Sequence, residues 1–347
     1  MVVWGMPRSP RIEYEGALYH VMCRGNRREE IFRDDMDRAM FLDLLGQGCG
    51  RTGWIVHSYV LMPNHYHWLL ETPKANLSDG MRWFQGTYAR RHCARHRLVG
   101  HVFQGRFKSS LIDPEDPDQF QVVSDYIHLN PVRAGLLARR GESIRLRDYR
   151  WSSYAEFLKP PTKRTSWLEF SRVAGNLGFS KDAPQVRRRY GTYLQGRALA
   201  CDLGRLSREE KAQWKQVRRG WYLGSKSFRD SLLERVPELL ESKRSESFGG
   251  RIVKEHNERQ ARTLIQASLP IVGVDNLEEL KGLRKSDPRK QAVVWLVRTR
   301  TAMGDRWVSE RLNAGSRTMT YRAVQRYQSA RRGADKRLRR QLEDLEI

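Results

Sequence analysis

The chain has 347 residues, with 64 Lys and Arg against 40 Asp and Glu, a net charge of +24. That is enough for two or three domains, and a positive excess spread along the whole chain favours a polyanionic partner, nucleic acid first, without telling DNA from RNA. There is no apolar run long enough for a bilayer and no signal-peptide core, and the four cysteines (Cys23, Cys49, Cys93, Cys201) form no Cys-x-x-Cys pair, which sets aside membrane, disulfide-scaffold and zinc-ribbon classes and fits free thiols in a reducing cytoplasm.

Residues 1–16 read as an irregular basic lead-in. Ala17 to Cys23 is rich in β-formers and reads as a first strand, ended by Arg24-Gly25-Asn26-Arg27-Arg28. Arginines beside a glycine either approach a phosphate backbone or make a solvated turn, which leaves Arg24, Arg27 and Arg28 as candidate DNA contacts. Asp34 to Leu45 carries an apolar stripe at helical spacing, and Trp54 to Leu61 and the run to Glu71 read as two strands joined by Met62-Pro-Asn. Side chains alternate faces along a strand, so His65 and His67 point the same way while Tyr66 and Trp68 point the other. Two adjacent imidazoles either hold a divalent ion or are polar residues on a wet face. Leu77 to His96 reads as a second helix with Leu77, Met81, Phe84 and Tyr88 as its core stripe. Val102 to Ile112 reads as a fourth strand, with Arg106 and Lys108 on one face and suited to phosphate. Asp113-Pro-Glu-Asp-Pro opens a third helix, Asp118 to Asn130, on which Tyr126 and Asn130 lie one turn apart and Pro131 marks the end.

The segments Tyr19-His-Val-Met-Cys-Arg-Gly-Asn-Arg, Met62-Pro-Asn-His-Tyr-His-Trp-Leu-Leu, Phe103-Gln-Gly-Arg-Phe-Lys-Ser, Tyr126-Ile-His-Leu-Asn-Pro-Val-Arg-Ala-Gly-Leu and Trp151-Ser-Ser-Tyr follow one another between Tyr14 and Phe157. In this order they resemble the single-tyrosine transposases of the IS200-like group, most nearly the branch associated with repetitive extragenic palindromes (REP). The resemblance implies an α+β fold, a ferredoxin-like HUH domain around a central antiparallel sheet in the order βαββαβα. It implies metal ligation by His65 and His67, completed by Asn130, with Mg or Mn as the ion, and Tyr126 as nucleophile. It further implies a bacterial, cytoplasmic, nucleoid-associated enzyme, monomer or homodimer, that cuts single-stranded DNA beside a hairpin through a 5′-phosphotyrosine and transfers the strand. The chemistry suits the groups: a phenol is a weak nucleophile at neutral pH and needs a nearby cation, and phosphoryl transfer depends on positioning and charge stabilisation.

Pro160-Pro161-Thr-Lys-Arg-Thr reads as a boundary, giving expected domains of 1–158, 159–285 and 286–347. The middle region reads as basic helices, with Arg187 to Arg189, Lys215 to Arg219 and Lys243-Arg244 as charge runs. At the end, helices from Asp287 to Thr301, Asp305 to Asn313 and Arg317 to Tyr327, with the turn Ala314-Gly315-Ser316, form a helix-turn-helix pattern. It resembles the duplex-binding domain of the bacterial replication initiator, with Arg317, Tyr321, Arg322 and Arg326 facing out toward duplex DNA. Arg331 to Arg340 reads as a frayed basic tail. Two other readings stand beside the enzyme: a non-catalytic sequence-specific DNA-binding regulator, and an RNA hairpin-binding protein.

Overall fold

The computed structural model describes residues 11–137, 144–176, 178, 181–236, 251–301, 303–330 and 332–345. The expected lead-in before residue 11 and the Lys243-Arg244 run lie outside them. The chain forms two compact units, Arg11–Leu232 and a second that begins at Leu233. The parting therefore falls at neither 158 nor 285. Residues 159–232 pack into the first unit, and the helices from 251 onward build the core of the second.

The first unit opens with strand β1 (Ala17–Arg24), helix α1 (Asp35–Thr52), strands β2 (Ile55–Met62) and β3 (His65–Thr72), helix α2 (Leu77–His96), strand β4 (Lys108–Ile112) and helix α3 (Pro117–His128). This is the expected βαββαβα order. The fourth strand is shorter than expected: Phe103 makes only an isolated bridge to Gly25, and Arg106 lies in the loop before β4. The short helices α4 (Asn130–Arg133), α5 (Ser153–Phe157) and α6 (Ser171–Gly175) follow, then α7 (Pro184–Asp202), α8 (Arg208–Arg219), strand β5 (Tyr222–Leu223) and α9 (Lys226–Glu234). The sheet runs β2-β3-β1-β4-β5. Its first four strands are antiparallel, and β5, from the region read as mostly helical, joins β4 in parallel.

Alternation along β3 divides the sheet into two environments. Tyr66 and Trp68 are fully buried on one side, where Phe41 of α1 lies 4.9 Å from Tyr66 and Phe84 of α2 lies 4.9 Å from Trp68, centre to centre. The same pleat turns His65 and His67 to the other side, where α3 docks. Its entry is set by Asp116, whose side chain accepts from the Gln119 N–H, and by Pro117 in the first turn. Phe120, Val123 and Ile127 are buried, and the Ser124 and Ser58 hydroxyls bond at 2.8 Å. The helix ends at His128, and Pro131 does not stop the chain there. It opens the next turn, α4, at a position where a missing N–H costs nothing.

His128 ties this side together. Its Nε2 lies 2.6 Å from the Ser153 hydroxyl and its Nδ1 2.8 Å from the Tyr190 hydroxyl, and the ring is fully buried. Burial pushes its pKa down to about 3.

The second unit comprises α10 (Arg251–Ser268), α11 (Leu277–Gly282), α12 (Pro288–Arg300), α13 (Asp305–Leu312), α14 (Arg317–Gln328) and α15 (Gly333–Glu343). Every residue from Ala292 to Val297 is buried, so α12 is the central helix, with Leu264, Ile265, Val308, Leu312, Ala323, Tyr327 and Leu342 around it. The stretch read as a frayed tail is the helix α15, anchored by Leu342. Lys290 is fully buried, and its ammonium donates to the Lys281 carbonyl at 2.9 Å and the Asn313 carbonyl at 3.2 Å, closing the ends of α11 and α13.

Two stability predictions follow from these buried groups. An unfolded histidine titrates near ~6.5, so between that pH and the folded value the unfolded chain binds the extra proton, and the contribution of His128 is complete above ~6.5 and declines as pH falls. At about 1.4 kcal/mol per unit, wild type should lose roughly 2 kcal/mol between pH 7 and pH 5 that His128→Gln does not lose. Denaturant unfolding of both at the two pH values checks this. Lys290→Met should cost about 1–3 kcal/mol of the second unit's stability by removing the ammonium that bonds the Lys281 and Asn313 carbonyls, read as a lower thermal midpoint.

Candidate active site

The register of β1 against β3 sets the site. Met22 lies opposite His67 and Arg24 opposite His65, so His20, Met22 and Arg24 share a sheet face with the two histidines. The Tyr126 ring meets this face edge-on, 5.7 Å from the His67 ring centre and 5.8 Å from that of His20. His65 and His67 are 5.1 Å apart and nearly perpendicular. The histidine pair of β3 and the phenol of α3, far apart in sequence, therefore meet on one face of the sheet. Asn130 sits one turn past Tyr126, and its Nδ2 donates to the Tyr126 carbonyl at 2.9 Å, so part of its role is to cap its own turn. That leaves Oδ1 as the atom of Asn130 able to ligate a cation.

Both histidines are held neutral. Burial, and then the charge of Arg24, lower the His65 pKa to about 4. Burial pushes His67 well below the usual range, reinforced by His20, His65, Arg133 and Arg24. Neutral imidazole is the form that binds metals. Two such nitrogens and an amide oxygen, with no thiolate among them, fit a borderline-to-hard divalent ion. His67 Nδ1 lies 2.8 Å from His20 Nε2, and His65 Nδ1 lies 2.7 Å from Asn64 Oδ1, which commits one nitrogen of each ring to the protein.

Three residues at the site carry no role in the sequence reading. His20 stands inside the quoted Tyr19-His-Val segment, and Arg133 inside Asn130-Pro-Val-Arg. The Arg133 guanidinium lies 4.6 Å over the Tyr126 ring and 4.9 Å over that of Trp214. Trp214 belongs to α8 and meets Tyr126 edge-on at 6.0 Å, which leaves Tyr126 only 3% exposed. The one sequence signal for Trp214 is a lone tryptophan in a basic helix. Helix α8 starts with a capping box, Ser207 to Glu210, and buries only Trp214 and Val217.

The expected DNA contacts divide. Arg24 adjoins His65, and its Nε is buried with no hydrogen-bond partner. Arg27 and Arg28 are exposed, on backbone with φ of 52° and 66° that is unfavourable for non-glycine residues. Gly25 before them is required, because a Cβ there would collide with the Glu29 carbonyl oxygen. Arg106 and Lys108 are exposed, on the loop and on β4, and not together on one strand face. In the second unit Arg317, Tyr321 and Arg322 are exposed along α14. Arg326 departs from the expectation: its guanidinium is held by both Asp335 oxygens at 2.7 and 3.1 Å and by Gln291 at 3.0 Å.

A second set of potential ligands, Asp37, His92 and His96, brings its atoms within 4.8 Å of one another. There the Asp37 carboxylate already accepts from Arg95 at 2.6 Å and from the Arg33 N–H at 2.9 Å, so a guanidinium supplies its counter-charge and the group ties α1 to α2. Among the described residues no helix is long and apolar enough to cross a membrane.

No curated protein matches the chain. A solved structure described as a REP-associated tyrosine transposase bound to a REP hairpin is 19% identical, covering 48% of this chain and 96% of that one, with a TM-score of 0.37. Residues 13–130, from just before β1 to the first residue of α4, match the family model for "Transposase IS200 like". The match takes in the N-terminal third of the chain, the part that carries His65, His67, Tyr126 and Asn130.

Proposed function

We propose that the protein is a metal-dependent single-stranded DNA endonuclease and strand transferase acting beside hairpins of the REP kind. The observation that carries this reading is the Tyr126 ring held 5.7 Å from His67 on the sheet face that also presents His65. A protein that only binds DNA or RNA has no need to bring a phenol onto two neutral imidazoles.

In this reading His65, His67 and the Asn130 amide oxygen hold Mg²⁺ or Mn²⁺, which when bound supplies Lewis acidity and a template for a non-bridging phosphate oxygen. Arg24 and Arg133 draw the scissile phosphate toward Tyr126 and offset charge that builds on it. The Tyr126 oxygen attacks phosphorus, the bond to the 3′ oxygen breaks, the phenol loses its proton and the departing 3′ oxygen gains one. The phosphotyrosine keeps the energy of the phosphodiester, so attack by another 3′ hydroxyl rejoins DNA without ATP. Arg27, Arg28, Arg106 and Lys108 supply exposed charge for the hairpin backbone. Arg317, Tyr321 and Arg322 on α14 present a polar, basic face to duplex DNA. Arg326 is left out of this set, because Asp335 holds it.

Attack also needs access, and Tyr126 lies beneath Trp214. Helix α8 has to shift off the phenol before a phosphate can reach it.

With a labelled hairpin oligonucleotide carrying a single-stranded flank and Mn²⁺, wild type should give a denaturation-resistant covalent adduct. Tyr126→Phe should give none, and His65→Ala or His67→Ala should lower its rate by about a hundredfold or more. Tight hairpin binding with no adduct in wild type would favour the regulator. Preference for an RNA hairpin over the DNA one would favour the RNA-binding protein. Trp214→Ala should form adduct faster than wild type at a permissive temperature while melting earlier, since the cover is gone and its core contacts with it. An unchanged adduct rate would mean that α8 does not limit access.

A further inference from the structure

The contact between His20 and His67 is more specific than a ring packing. Their nitrogens are 2.8 Å apart, their ring centres 5.0 Å, and their planes differ by 15°. A ring nitrogen stands about 1.1 Å from its own ring centre, so these distances hold together only if the bond runs along the line of centres. The two imidazoles lie edge to edge and nearly coplanar, joined by an in-plane hydrogen bond along a lone-pair direction. Both rings are 2% exposed, so water does not compete for this bond.

One proton sits in that bond, and its placement decides what His67 can do. If His20 Nε2 carries it, then neutral His67 has its own proton on Nε2 and has no lone pair left to offer. If His67 Nδ1 carries it, Nε2 is a free donor atom. The metal-binding reading settles the choice: with Nδ1 tied to His20, Nε2 is the one nitrogen His67 can turn to an ion, so the shared proton belongs to His67 Nδ1 and His20 Nε2 accepts it. The backbone of Val217, near the end of α8, acts on His20 in the sense of an acceptor for its other nitrogen.

We propose that His20 is a positioning residue which holds His67 as its Nδ1–H tautomer and keeps the His67 Nε2 lone pair turned out toward a divalent cation. The contact that does this is the 2.8 Å bond from His67 Nδ1 to His20 Nε2. This rests on the metal-binding role of His65 and His67 proposed above, and adds a residue to that site which touches neither ion nor DNA.

The test uses the full-length, metal-free protein with ¹⁵N-labelled histidine. Of its nine histidines, His67 is assigned by the signal missing in His67→Ala. Ring nitrogen shifts in wild type should show His67 as the Nδ1–H tautomer. In His20→Phe that tautomer should give way to a mixture, and Mn²⁺ affinity by calorimetry should fall 10–100-fold, the usual effect of losing a partner behind a metal ligand. His20→Gln, whose amide oxygen can accept the same N–H, should keep most of the affinity and the tautomer; it also serves as the probe if the Phe variant does not fold. Finding His67 as the Nε2–H tautomer in wild type, or unchanged tautomer and affinity in folded His20→Phe, overturns the assignment of His20. Mn²⁺ affinity that is the same in wild type and His67→Ala overturns the metal reading instead, whatever the tautomer, and the purpose given to His20 with it.

Discussion

The docking of α3 onto the histidine face of the sheet is the constraint on which the site depends. Tyr126 lies on the helix between Val123 and Ile127, both fully buried, and is itself almost wholly buried. The phenol is therefore part of the surface by which the helix holds to the sheet. It could turn away from the imidazoles only by pulling that stripe out of the core, at roughly 1.5–3 kcal/mol for each large side chain exposed. On the sheet, a slip of one residue between β1 and β3 would send His65 and His67 into the aromatic layer and Tyr66 and Trp68 toward α3. Fold and site are thus specified by the same contacts.

The electrostatics of that face favour an anion and a cation together over either alone. Arg24 and Arg133 both depress the protonation of His67, and the same positive field acts against a divalent ion. A DNA phosphate between the guanidiniums would reverse this, attracting the ion as well as the arginines. Under the proposed function, metal affinity should be higher with DNA bound, and the buried Nε of Arg24 would gain the acceptor it lacks. Neutral histidines ringed by arginines make physical sense in a site that takes a phosphate and an ion as a unit.

Much of the first unit was legible from local pattern. The alternation around His65 and His67, the helical stripe of α2 and the entry of α3 are encoded within a turn or a strand, and the strand order follows from them. The pairing of Tyr126 with Asn130 was legible through family resemblance, since a tyrosine on an amphipathic helix is otherwise an ordinary core residue. His20, Arg133 and Trp214 were not, because what brings each to the site is a neighbour 47, 7 or 88 positions away. Arg326 is expected on the exposed face for a related reason: its partner Asp335 lies nine residues on, in a stretch that reads as a frayed basic tail. Leu342 supplies the apolar anchor that makes that helix hold.

Helix α8 gives the region beyond the family segment a stake in the site. Its two buried residues both end there, Trp214 by its ring against Tyr126 and Val217 through its backbone at His20. Two side chains of this kind contribute only a few kcal/mol of burial, far less than the sheet and α3 draw from their shared core. Of the elements touching the site, α8 is thus the one that can lift while the rest stays folded, as low-stability segments over functional sites do. Lifting it would uncover the Tyr126 phenol and at once take the Val217 backbone away from His20. Under the proposed function, access to Tyr126 and the tautomer of His67 would then be coupled through a single helix.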